Sequence, residues 1–175
     1  MKRQTGASMT SLLLALILVG ATLLAAAAMG AHLLRLHAQR EDFTAVITDV
    51  LTSVEYAIVD DWAETGCRAL SEPPTLTELV NQYQAPESIL TTPYGIDIDY
   101  LSSPTNHISS TIKLSVTLPS SLSGQQLSSA AHRVADDVRV SQTTITLYRA
   151  VSSINSSLQH QYFDGETGCM QEDFQ

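Results

Sequence analysis

SLLLALILVGATLLAAAAMGAHLLRL, residues 11–36, leads after four residues into EDFTAVITDVLTSVEYAIVDDW, residues 41–62. These two stretches decide the fold. From Leu12 to Leu34 there is no Asp, Glu, Lys or Arg. A helix of that length rises about 34 Å, enough to cross a hydrocarbon core of about 30 Å. Beyond it, Phe43, Val46, Ile47, Val50, Leu51, Val54, Ile58 and Trp62 recur at spacings of three and four, the mark of one apolar helix face. No Pro or Gly separates the two patterns, and Gly66 is the first breaker after them. The spacing therefore predicts one helix from near Ser8 to near Glu64, apolar all round in its first half and one-sided in its second.

Orientation follows from charge. Lys2 and Arg3 precede the apolar run on a short segment, which places that end in the cytoplasm and the body across the membrane. Three routes fit such a segment. It is a secretory signal released at the small residues of Leu23–Ala31, an uncleaved anchor, or a segment trimmed on its cytoplasmic side and kept. The unbroken amphipathic continuation favours a segment that is kept, because a released signal is usually followed by a break.

The leader Met1-Lys-Arg-Gln-Thr-Gly6, abutting this helix, resembles the prepilin leader of type IV pilins and type II secretion pseudopilins. The resemblance covers the leader and the long helix well and the head loosely. It implies cleavage between Gly6 and Ala7 by a prepilin peptidase, N-methylation of Ala7, and assembly through the helix with other pilin or pseudopilin subunits. Most members carry Glu five residues after the cut, where this chain has Ser11. In the family that carboxylate is thought to pair with the N-terminal amine of a neighbouring subunit. A hydroxyl cannot neutralise that amine, and a carboxylate at membrane depth is kept only with a partner. The resemblance thus implies a minor, tip or priming subunit. The implied organisation is a leader over 1–6, a transmembrane half-helix over 7–34, an amphipathic half over 35–66 and a head over 67–175. The implied place is the bacterial inner membrane, with the head periplasmic, or an extracellular filament. The alternatives are a bitopic envelope protein with a partner-binding domain and an exported soluble domain.

Nine Lys and Arg stand against eighteen Asp and Glu, for a net charge of −9. So acidic a body lacks the basic footprint that nucleic acid requires. Cys67 and Cys169 lie outside any C-x-x-C, and no histidine stands at zinc spacing from them. In a cytosolic chain they would be unrelated thiols; behind an export signal a pair reads as a disulfide. Loop entropy alone assigns a crosslink over about 100 residues roughly 4–5 kcal/mol.

In the head, Thr75-Leu-Thr-Glu78 is a capping-box pattern opening a short helix to about Tyr83. Ile96, Ile98 and Tyr100 alternate as a strand, as do Ile108, Ile112, Leu114, Val116 and Leu118. Leu127, Ala131, Val134 and Val138 form a helical stripe, and Ile145 and Leu147 alternate again. The β–β–α–β order predicts an α+β head, a small antiparallel sheet against the long helix. The segment 152–175 is polar and poorly patterned.

Catalytic signals are weak, no cofactor motif is present, and the reading is a non-enzyme. His132 would lie one helical turn from Asp136 or Asp137, an ordinary surface pairing, and no G-x-S-x-G occurs. Asp97 and Asp99 share a strand face and could join Asp164, Glu166, Glu172 or Asp173 around Ca²⁺, but no spaced calcium loop is present and no metal is expected. His32 and His37 read as polar residues at the membrane edge. Tyr56 and Trp62 read as core anchors, and Phe163 and Phe174 either as an adhesive or partner-contacting surface or as aromatics that pack the tail.

Overall fold

The computed structural model of the chain describes residues 5–68, 70, 72–102, 109–151, 164 and 166–170. Helix α1 runs Thr5–Thr65 and ends where expected. Gly66 takes φ +68°, and its N–H donates to Trp62 O at 2.9 Å, closing the last turn in the left-handed geometry that glycine adopts without strain. The chain divides into two compact units, Met1–Gln39 and Arg40–Gln175.

In the first unit the apolar side chains of 12–34 face outward. Leu24 is 74 % exposed and Ile17 69 %. This is the one helix among the described residues long and apolar enough to cross a membrane. Such a surface in water would forfeit the burial that normally stabilises a leucine-rich helix, about 1.5–3 kcal/mol per large side chain.

The second unit is an α+β layer in which the remainder of α1 packs on a four-stranded antiparallel sheet. The strands are β1 (Gly95–Ser102), β2 (Ser109–Thr117), β3 (Asp137–Val140) and β4 (Thr144–Ala150), in the order β1-β2-β4-β3. Register pairs Ile98 with Leu114 and Leu114 with Leu147, so one face carries a continuous apolar row. That row meets Phe43, Ile47, Val50, Leu51, Val54 and Ile58, all 0–1 % exposed. Phe43 meets the Tyr94 ring edge-on at 5.5 Å between centroids. The Tyr94 hydroxyl donates to Asp42 at 3.2 Å, and burial beside that carboxylate pushes the phenol up to about 12.

Two helices complete the layer. In α2 (Leu76–Gln82) the capping box forms: Glu78 N–H donates to Thr75 Oγ1 at 3.3 Å, and Thr75 N–H donates to Glu78 Oε2 at 2.7 Å. A 3-10 turn over Glu87–Leu90, not anticipated from the sequence, follows Pro86. Helix α3 (Gly124–Val134) buries Leu127, Ala130 and Ala131 on the core. It is tied to α1 by Arg133–Glu41 at 3.1 Å and by Arg40 Nε donating to Gln126 O at 2.8 Å. Its first residue must be glycine, because a Cβ on Gly124 would meet the Ser141 carbonyl oxygen at 2.1 Å.

The expected stripe through Val138 is corrected. Helix α3 stops when Ala135 turns extended (φ −135°, ψ 153°), and Val138 lies in β3. Val138 follows Val134 by four residues, so helical periodicity absorbed a strand too short to show its own. The expected Ile108 lies outside the described residues, and Leu118 sits just past β2, still buried.

Candidate functional site

At the N-terminal end, Gly6 and Ala7 lie within the first turn of α1. Ser11 lies one turn further on, exposed on the same helix.

At the other end of α1, a disulfide joins Cys67 to Cys169, 102 positions apart in sequence. The two cysteines form an isolated antiparallel bridge, and Arg68 N–H donates to Gly168 O at 2.7 Å while Met170 N–H donates to Gly66 O at 2.9 Å. Around it the chain turns tightly: Asp164 N–H donates to Cys169 O, Gly168 N–H to Asp164 O, and Glu166 N–H to Asp164 Oδ1. Arg68 is 1 % exposed, with its guanidinium 4.8 Å from the Trp62 ring centroid, and burial lowers its pKa. Cation–π stacking of this kind offsets part of the cost of desolvating the guanidinium. No sequence signal marked Arg68; an arginine next to a bridging cysteine and six residues after a tryptophan was the only available hint.

Other candidates are placed differently from expectation. Tyr56 is 59 % exposed and is not a core anchor. It lies two residues from both Val54 and Ile58, about 200° around the helix from each. Trp62 is half-buried under Arg68 rather than part of the core. His132 has no helical turn leading to Asp136: α3 ends at Val134, Asp136 Oδ2 accepts from Ala150 N–H at 2.8 Å, and Asp137 opens β3. Asp97 and Asp99 lie in β1, where Asp99 pairs with Lys113 at 3.0 Å. Asp164 and Glu166 belong to the turn before Cys169, and the described residues contain no group of three or more His, Cys, Asp or Glu placed to hold a metal. Glu172, Asp173, Phe163 and Phe174 lie outside the described residues. His32 and His37 lie exposed on α1.

A second feature was not legible in advance. Where α1 nears its end, Ala57, Asp61, Leu70, Pro73, Tyr83 and Tyr100 line an open hollow of about 200 Å³ together with Glu72 and Glu78. Across Tyr83 a second hollow of about 360 Å³ is walled by Tyr56, Asp60, Gln82 and Gln84. The Tyr83 hydroxyl donates to Asp60 at 3.4 Å. Burial raises the phenols of Tyr83 and Tyr100, and carboxylates of α1 add to both shifts.

Comparison of the chain with protein-family models, with characterised proteins and with solved structures finds no match.

Proposed function

We propose that this chain is a minor pilin-like or pseudopilin-like subunit, placed at the tip or base of an envelope filament and acting by assembly rather than catalysis. The observation that carries the reading is α1 itself. One helix, Thr5–Thr65, has an outward apolar surface over 12–34 and a one-sided buried face over 43–58. A helix of that kind serves two solvents: bilayer or neighbouring apolar helices along its first half, and a globular core along its second. The short basic leader ending in Gly6 supports processing after Gly6 with the helix retained. Ser11 in place of a carboxylate supports a terminal position, where no subunit's amine must be neutralised.

The mature N-terminus of membrane-fraction protein tests this directly by mass spectrometry. The expected product starts at Ala7 with a methylated amine, and Gly6→Asp should abolish its formation. A start near Ala31 would make the chain a released domain, and an intact Met1 a simple anchor; each overturns the filament reading.

A further inference from the structure

We propose that the paired hollows flanking Tyr83 form a docking site for a lysine or arginine side chain of a partner protein. The proposal concerns the head alone and does not rest on the filament reading.

The walls supply what an organic cation needs. Tyr56, Tyr83 and Tyr100 line the two hollows with aromatic surface, and Pro73 and Pro74 add apolar surface for an aliphatic stem. Asp60 lines one hollow and Asp61, Glu72 and Glu78 line the other, with Tyr83 common to both. Charge complementarity selects the occupant. The cations of the head are engaged elsewhere: Lys113 with Asp99, Arg133 with Glu41, Arg149 with Glu55, Arg40 with the Gln126 carbonyl, Arg139 over Tyr148 and Arg68 buried over Trp62. Among the described residues, no Lys or Arg forms an ion pair with Asp60, Asp61, Glu72 or Glu78.

Glu78 stays ionised to lower pH than an ordinary glutamate, because the backbone and side chain of Thr75 donate to it. Burial raises the Tyr83 phenol first, and the negative charges of Asp60, Glu64 and Asp61 add to the shift. A net charge of −9 attracts a basic partner from a distance and repels an acidic one. A chain passing over the surface suits the site better than an enclosed small amine, since Tyr56 is 59 % exposed and Asp60 and Gln82 are exposed at the mouth.

The test uses the full oxidised chain in detergent micelles with ring-labelled tyrosine. Blocked tripeptides with a central arginine, lysine or leucine are titrated while the tyrosine resonances are followed by NMR. The arginine and lysine peptides should shift Tyr83 and Tyr56 saturably, and the leucine peptide should not. Asp60→Asn with Asp61→Asn should weaken binding about tenfold, the loss of a charge-assisted hydrogen bond. Tyr56→Ala, at an exposed position that folding does not need, should weaken it severalfold. Absence of saturation with the arginine peptide, an equal response to leucine, or undiminished affinity in the Asn variant would each overturn the proposal.

Discussion

The two halves of α1 are one helix by backbone geometry and two different objects by surface. Residues 12–34 turn leucines outward on every side, whereas residues 43–58 gather Phe43, Val46, Ile47, Val50, Leu51, Val54 and Ile58 on one buried face. Helical hydrogen bonding alone explains neither half, because an isolated helix gains little in water without a packed face. The first half is stable where the surroundings are apolar, and the second half is stable because a sheet covers it. What a helix is for is thus written in the angular spread of its apolar residues, more than in its length.

The largest expected effect separates the halves by truncation. Phe43→Ala should destabilise the head by about 3–5 kcal/mol, through the lost transfer energy and the cavity left beside Tyr94. Leu16→Ala, on an exposed face, should change head stability by less than about 0.5 kcal/mol. Thermal or urea unfolding of the head measures both; equal losses would mean that the first half is also part of a packed core.

A charge inserted into each half should give the opposite ranking in a membrane assay. Leu18→Arg should reduce retention in the carbonate-extracted membrane fraction, since an arginine at the centre of a spanning helix costs about 2.5–3.5 kcal/mol. Val59→Arg, at a 48 % exposed position of the second half, should leave retention unchanged. If Leu18→Arg extracts like the parent chain, residues 12–34 do not sit in lipid.

The smallest effect concerns how a short helix is held beside the long one. Thr75→Ala should cost about 1 kcal/mol through loss of the α2 cap. The cap also has a pH signature. Hydrogen bonds from Thr75 hold the Glu78 carboxyl below the ordinary value of 4.5, so their contribution is fully present above 4.5 and disappears as pH falls through the depressed folded value. The gap in stability between parent and Thr75→Ala should therefore narrow on acidification and stay constant from pH 6 to 8. A gap that widens in acid would show that the Glu78 carboxylate does not support the cap.

Periodicity was enough for the elements whose pattern is long or whose local chemistry is self-contained. An unbroken apolar run passing into helical spacing and closed by Gly66, and a capping box from Thr75 to Glu78, are local facts of the chain, and both stand in the folded structure. The alternation of Ile96, Ile98 and Tyr100, and of Ile112, Leu114 and Val116, likewise marked β1 and β2. Strand β3 escaped because four residues cannot establish a period of two, and Val138 fits the preceding helix equally well. Tyr56 was misplaced by composition, an aromatic near apolar neighbours, when its angle on the helix already pointed away from them.

By itself, then, the sequence determined that this protein has a helix with two kinds of surface and an α+β head, because side-chain periodicity is a property of neighbours along the chain. Only the tertiary structure decided which residues 20 or more positions apart share a surface. The Tyr83 cleft draws on α1, Leu70, residues 72–74, α2 and β1, and Arg68 stacks over Trp62 beside the Cys67–Cys169 bridge, whose pairing the sequence had already suggested. Such contacts depend on how layers stack and where loops return. No local pattern encodes that, since the free energy that selects it comes from burying distant residues together.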